Sequence, residues 1–400
     1  MPTFDSHHPP APDLINQCVH CGFCLPACPT YALWGEEMDS PRGRIYLIKM
    51  ASEGATAMTE NWVRHFDTCL GCVSCMTACP SGVNYGKLIE ETRSQIERQY
   101  SRPWRDRLLR WAILHTFPNV ALLRIGRVFL SVYQKLGLPS PSKLMPKLGK
   151  REEVSGVTRA QGTKRARVGL MLGCVQREFL PEINAATVRV LAAEGCEVVA
   201  PAEQPCCGAL LMHAGKDEAA LTLTRRMFAT FEKAGVDTLI TNAGGCGSHL
   251  KEFSVEFKGQ VKDIAEFLVE LGPRAERHPL TKCVAYHDSC HLQHAQKVRT
   301  QPRQLLAGIP GLTVAEMPEA ALCCGSAGIY NLVQPATANE LGDRKASHIQ
   351  AIAPDAVATG NVGCILQMQA ALGRQTGNQP PVVHTIQLLD ESIHGVAPAP

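Results

Sequence analysis

The reading of this chain turns on residues 18–31, "CVHCGFCLPACPTY", and on their recurrence at residues 69–82 as "CLGCVSCMTACPSG". Each stretch sets four cysteines at spacings of two, two and three residues, and proline follows the last. A tight loop can turn three thiolates at C-x2-C-x2-C toward one centre. The fourth, carried past the loop and held by proline, points elsewhere, and in two-cluster ferredoxins of this spacing it ligates the other cluster. Cys18, Cys21, Cys24 and Cys79 are therefore assigned to one [4Fe–4S] cluster, and Cys69, Cys72, Cys75 and Cys28 to a second. Crossed ligation would tie the two halves of the segment together. Structural zinc is the competing use of such thiols, but it favours separate C-x2-C knuckles. "PRGRIYLIKMASEG" (41–54) and "ENWVRHFDTC" (60–69) read as helices, predicting a mostly helical two-cluster domain over residues 1–100. His20 and His65 lie beside the motifs and are read as surface or supporting residues, not ligands.

With 400 residues, 45% hydrophobic and 19% charged, the chain has room for two or three globular domains. The N-terminal "MPTFDSHHPPAPDL" lacks the basic and apolar regions of an export signal. The most apolar window, "FPNVALLRIGRVFLSVY" (117–133), carries Arg124 and Arg127, so no spanning helix is expected. A cytoplasmic location follows, where eighteen cysteines serve as metal ligands more readily than as disulfides. The formal charge of +3 hides an asymmetry. Between Ser101 and Arg167 there are fifteen Lys/Arg against Asp106, Glu152 and Glu153, a local net of +12. Residues 101–165 thus read as a basic connector: two helices, then the Pro/Lys-rich "LPSPSKLMPKLGK" (138–150). Its charge, with Arg105, Arg107 and Arg110 in the first helix, suits an acidic partner or an anionic lipid surface, here the cytoplasmic face of the inner membrane. Trp104, Leu108, Trp111 and Ile113 are available to pack on the chain's own domains or on a partner. No nucleic-acid recognition motif accompanies the charge.

Residues 166–400 contain an internal repeat. "RARVGLMLGC" and "KCVAYHDSC" end in Cys174 and Cys290. "CCGALLMHAG" and "CCGSAGIYNL" carry Cys206–Cys207 and Cys323–Cys324. "DTLITNAGGC" and "DAVATGNVGC" end in Cys246 and Cys364. The gaps agree, 31 and 32 residues from lone cysteine to pair and then 38 and 39 to the last cysteine. Strand patterns alternating with helical ones, such as "LPEINAATVRVLAAEG", predict two parallel α/β units, 166–272 and 280–395. Cys174, Cys246, Cys290 and Cys364 are each expected to end a strand, where ligand crevices of such units form, and the four thiols of each copy are expected to converge.

Vicinal thiols rarely bond to each other, and the glycine after them lets the backbone approach a bulky centre. The repeat resembles the cysteine-rich CCG domain of heterodisulfide reductases and related electron-transfer subunits. There the pattern closes with C-x2-C; here it closes with "CGSH" (Cys246 to His249) and "CILQ" (Cys364 to Gln367). A third cluster, a zinc or an empty thiol pocket remain open for Cys174, Cys206, Cys207 and Cys246 and for Cys290, Cys323, Cys324 and Cys364. The serial order of the cysteine quartets, "DSPRGRIYLIKM" (39–50), "PCCGAL" (205–210), "CHLQHAQKV" (290–298), "LCCGSAGIYNL" (322–332) and "TGNVGC" (359–364) resembles the iron–sulfur subunit of bacterial glycolate oxidase. That resemblance implies flavoprotein partner subunits with FAD that oxidise glycolate to glyoxylate, and a quinone or other membrane acceptor. The equivalent subunits of glycerol-3-phosphate or lactate dehydrogenase complexes share the plan.

The rest of the chain adds little chemistry. Cys196 and Cys283 fall outside the repeat, in strand patterns, and read as small core residues. His287 and Asp288, with Leu172 and Gly173 taken as their counterparts, could orient a ligand. No G-x-G-x-x-G follows a strand, and there is no Walker loop or nucleophile elbow. No catalytic residue is assigned, and no substrate chemistry is expected from this chain alone. The expected role is electron transfer within an oxidoreductase. A thiol/disulfide reductase of heterodisulfide-reductase type, or an assembly scaffold with structural clusters, are the rivals.

Overall fold

In the computed structural model, which describes residues 3–138, 142–149 and 152–395, every regular element between Pro12 and Gln99 is a helix. These are α1 (Pro12–Asn16), α2 (Pro29–Trp34), α3 (Pro41–Ser52), α4 (Glu60–Asp67), α5 (Ser74–Ala78) and α6 (Tyr85–Gln99), with a 3-10 turn at Glu37–Asp39. Proline opens α1, α2 and α3, where its fixed φ fits and its missing N–H costs nothing. The side chains of Ser40, Thr59 and Asn84 accept from the first-turn amides of α3, α4 and α6. One buried stripe of each helix (Ile45 and Ile48; Trp62 and Phe66; Leu88, Ile89 and Ile96) closes on the cysteines.

Beyond the helices lie two sheets. The first contains β1 (Gly156–Thr158), β2 (Ala166–Leu170), β3 (Cys196–Ala200), β4 (Thr238–Thr241) and β5 (Gln260–Asp263) in the order β1-β3-β2-β4-β5. The second contains β6 (Lys282–Tyr286), β7 (Leu312–Glu316), β8 (Ala356–Thr359) and β9 (Val382–His384) in the order β7-β6-β8-β9. Four strands of the first sheet therefore repeat the order of the second, all parallel. The departure from two purely parallel units is β1. It lies inside the segment read as connector and pairs antiparallel with β3, Gly156 opposite Ala200. The central strands β4 and β8 are buried at every residue, as expected where helices cover both faces.

The copies pack around a pseudo-twofold axis. Helix Pro181–Ala193 of copy one packs on Thr385–His394 of copy two, and its counterpart Gln301–Ala307 packs on Ile264–Leu271. One continuous apolar core spans both sheets, and Arg189 clamps Asp390 across the seam at 2.7 and 3.0 Å.

The connector forms α7 (Trp104–Thr116) and α8 (Val120–Lys135), bent by 99° to each other. Among the described residues no single helix is long and apolar enough to cross a membrane; this bent pair together meets the length and composition. Ile113 and Leu114 pack on Leu211, Met212 and Ala214 of copy one. Trp104, Leu108 and Trp111 do not, and with Ile125, Val128, Phe129 and Val132 they remain exposed, Phe129 at 71%. Arg110, expected to face a surface, instead pairs with Asp106 (3.0 Å) and Asp67 (3.4 Å) and belongs to the fold. Part of the Pro/Lys-rich tail, residues 139–141 and 150, lies outside the described residues.

Candidate metal centres

The two ferredoxin-type loops are built alike. Residues with positive φ recur at matching places: His20 and Gly22 in the first loop, Gly71 and Val73 in the second. For Val73 this is a strained state that the surroundings must hold. The reversal turns amides back onto the sulfurs. The Gly71 N–H donates to Cys69 Sγ at 3.4 Å, and the His20 N–H bonds the Cys18 sulfur. Cys18, Cys21, Cys24 and Cys79 line one cavity, where Cys75 also reaches the wall. Cys28, Cys69, Cys72 and Cys75 line a second, with Arg44 and Tyr85. Burial pushes the Cys72 and Cys75 thiols well above their ordinary range, with the neighbouring Cys323 and Cys72 sulfurs adding to it. Burial acts on Cys69 too, but Arg44 and Arg93 outweigh it and hold that thiol lower.

The residues missed in the sequence lie between these loops. Asp39 and Arg44 are both buried and pair at 3.2 Å. Asp39 also receives Thr68 Oγ1 (2.9 Å) and meets His65 Nδ1 at 3.0 Å. Arg44 further bonds Thr30 and the His65 carbonyl, so one ion pair joins the segments that follow Cys28 and precede Cys69. His65 is thus a buried supporting residue, and His20 is exposed. A signal was present: Arg44 shares the buried face of α3 with Ile48 and Ala51, and a charge on an apolar face demands a buried partner. Arg93, which donates to the carbonyls of Phe66, Cys69 and His213, gave no such sign.

Each CCG copy brings its four cysteines into one chain of sulfurs. In copy one Cys206 lies between Cys174 and Cys207, and Cys207 meets Cys246. Hydrogen bonds from Cys174 and Cys207 hold the Cys206 thiol well below its usual range. In copy two the chain runs Cys290, Cys323, Cys324, Cys364 and ends at His287. The four lone cysteines do not end strands. Cys174 and Cys290 stand at the N-caps of short helical turns, and Cys246 and Cys364 in the first turns of Gly244–Glu252 and Val362–Leu372. The sheet only aims the chain; the helix start that follows presents its free amides beside the sulfurs. Aligning the strand ends Leu170 and Tyr286 corrects another expectation: His287 corresponds to Met171 and Asp288 to Leu172. Asp288 is engaged by Arg303 at 2.7 and 2.8 Å. Cys196 is fully buried in β3, where burial raises its thiol to about 11, and Cys283 is half-buried in β6.

The two pockets face different surroundings. Cys206 lines a cavity of about 1040 Å³ whose other walls include Trp111, Leu114 and His115 of α7. Cys290 and Cys323 instead pack with Leu70, Cys72 and Tyr330, so copy two touches the second ferredoxin-type loop directly. Tyr330 Oη donates to the Thr68 carbonyl (3.1 Å), and Thr77 Oγ1 meets His294 Nδ1 at 2.9 Å.

Comparison with known proteins matches residues 14–83 to a 4Fe–4S dicluster domain and residues 168–251 and 284–369 to a cysteine-rich domain, CCG. The probable glycolate oxidase iron–sulfur subunit of Bacillus subtilis (strain 168) is 35% identical, covering 95% of this chain and 94% of that protein. The glycolate oxidase iron–sulfur subunit of Escherichia coli (strain K12) is 34% identical, with 96% and 95% covered. The chain belongs to the glycolate oxidase iron–sulfur subunit family. As a member of that family it is an iron–sulfur, electron-transfer component of an oxidoreductase. A solved hypothetical protein from Helicobacter pylori shares the fold alone: TM-score 0.53 at 10% identity, over 89% of this chain and 68% of that one.

Proposed function

We propose that this chain holds two [4Fe–4S] clusters, one on Cys18, Cys21, Cys24 and Cys79 and one on Cys69, Cys72, Cys75 and Cys28. In this reading it passes electrons from an FAD-bearing partner, which oxidises glycolate to glyoxylate, toward a quinone-type acceptor. The observation that supports it is that Cys79 lines the cavity of Cys18, Cys21 and Cys24 while Cys28 lines that of Cys69, Cys72 and Cys75, with Cys75 on the wall of both. The donor set is right for iron–sulfur ligation, and the loop amides and Arg44 and Arg93 offset thiolate charge. When bound, such clusters accept and donate single electrons. The protein's part is to bury the sulfurs, to turn amides onto them and to pin the two loops to each other through Asp39 and Arg44.

The reading divides the chain at 1–100, 101–165, 166–272 and 280–395. It places the connector at the cytoplasmic face of the inner membrane, supported by the exposed apolar rows of α7 and α8 interleaved with arginine. It also reserves one CCG quartet for a further centre. The relatives covered almost end to end carry the glycolate name, which favours that partner over the glycerol-3-phosphate and lactate variants of the plan.

Iron analysis with EPR tests the ligand sets. Cys28→Ser should remove the cluster nested in the 69–75 loop and Cys79→Ser the one in the 18–24 loop; loss of only the variant's own loop cluster overturns the crossing. Membrane attachment is tested at Arg105 and Arg107. Reversing both should weaken vesicle binding by about 1 kcal/mol per residue near an anionic surface, and binding should fall as salt rises. Binding indifferent to both would remove the membrane assignment.

A further inference from the structure

Copy two contains a group that the two clusters do not use. His287 is fully buried, and its backbone N–H is pinned to the Ala358 carbonyl at 2.9 Å. Neither ring nitrogen has a hydrogen-bond partner in good geometry, although the Cys364 sulfur and the Ala320 carbonyl approach the ring. One ring nitrogen and the sulfurs of Cys324 and Cys364 all lie within 4.8 Å of one another. Leaving a buried imidazole without partners costs free energy unless something else satisfies it.

We infer that copy two holds a single divalent ion of zinc-like chemistry on His287, Cys324 and Cys364, with Cys323 hydrogen-bonded to Cys324 just outside this set. This rests on the reading of the CCG thiols as metal ligands and adds to it the imidazole, the copy and the nuclearity. The spacing decides the nuclearity. Zinc bonds of about 2.3 Å to sulfur and 2.0–2.1 Å to nitrogen set donors roughly 3.5–4 Å apart, a small contraction from 4.8 Å. A cubane carries each thiolate on a different iron and spreads its ligands more widely. The supporting shell is also in place: Ser289 Oγ and Asn361 Nδ2 donate to Cys364 Sγ at 3.7 and 3.5 Å, and Ser289 is held by Thr359 at 2.9 Å.

Copy one has no equivalent. Met171 stands where His287 does. His249, at the place of the missing last cysteine, spends its Nε2 on Thr224 Oγ1 at 2.8 Å. Zinc has no redox chemistry of its own. In copy two it would neutralise the thiolates of Cys324 and Cys364, next to the Cys323 and Cys290 sulfurs that face Cys72, and so bias the field at the second ferredoxin-type loop.

The test is metal content of the full chain purified without oxygen: zinc and iron per chain by mass spectrometry, then Co²⁺ in place of zinc, read by its thiolate charge-transfer and d–d absorption. About one zinc or cobalt per chain is expected beside the iron. His287→Ala should weaken it more than about 100-fold while iron and the ferredoxin-type EPR signals stay unchanged, which also reports that the chain has folded. His287→Cys should keep the ion with altered cobalt bands. Three results would overturn the inference: no such ion in the wild type, zinc retained by His287→Ala, or iron lost on Cys364→Ser. Ion loss with Cys324→Ser but not with His287→Ala would sink the imidazole ligand and leave the thiol reading standing. No metal change in any copy-two cysteine variant would sink both.

Discussion

A Cβ on Gly208 of copy one would lie 2.5 Å from the Ala220 carbonyl, and on Gly325 of copy two 2.6 Å from the Ala338 carbonyl, both at φ above +90°. The backbone around the cysteine pair is therefore the same in both copies, and only glycine fits it. The side chains then diverge. Where copy two has buried His287 and Lys345 near its sulfurs, copy one has Met171 and, by the offset that pairs Ala220 with Ala338, Met227. Copy one opens toward the connector cavity, while copy two closes on the ferredoxin-type loop. A duplicated scaffold has kept its frame and changed what faces the sulfurs, so the two quartets are different chemical sites.

The largest expected effect tests the shared frame. Gly208→Ala and Gly325→Ala should each destabilise the chain by about 5 kcal/mol, the sum of left-handed strain and overlap with backbone. Chemical denaturation of the two variants should give similar losses; a much smaller loss in one copy would break the equivalence.

Next come the caps at the end of each copy, where the frame is kept and the residue differs. Asp263 caps Ile264–Leu271, and His384 caps Thr385–His394, each in a capping box. Burial raises the Asp263 carboxyl from 3.8 to about 7, against the Ala265 amide and Lys251 and with Glu266. The folded state then binds the extra proton, so this group's stabilisation is lost as pH climbs from 3.8 to 7, on the order of 4 kcal/mol. Burial lowers His384 from 6.5 to about 4. There the unfolded state binds the proton, and stability drains as pH falls from 6.5 to 4, on the order of 3 kcal/mol. Thermal melts across pH should show Asp263→Asn and His384→Asn each flattening its own limb; the same limb flattened by both would refute the contrast.

The smallest effect is spectroscopic and sharpens the difference in surroundings. Cys323 lies against Cys72, whereas Cys206 does not line the ferredoxin-type cavities. Cys323→Ser should perturb the EPR signal of the centre held by the 69–75 loop, and Cys206→Ser should leave it as in the wild type.

Much of this was legible locally. The cysteine spacings, the glycines after the pairs and the strand–helix alternation are short-range constraints, and the paired gaps exposed the duplication. The expectation that lone cysteines end strands missed by a few residues, since apolar strand patterns run on into helix starts: β2 stops at Leu170, four residues before Cys174. Arg110 was read as surface charge because its partner Asp67 lies 43 positions away. His287 was matched one residue too far along; counting back from Cys290 and Cys174, or forward from the strand ends Tyr286 and Leu170, pairs it with Met171.

What the sequence determined by itself is the inventory and its order: two ferredoxin-type quartets, a basic connector and two CCG copies. These follow from spacing, and spacing is a property of the chain. What tertiary structure alone decided is which sulfurs meet which neighbours. Cys72 against Cys323, Asp39 against Arg44 and His65, and His287 against Cys324 and Cys364 depend on the packing of helices and sheets. A buried polar group must find its partner across that packing, because water is not there to satisfy it.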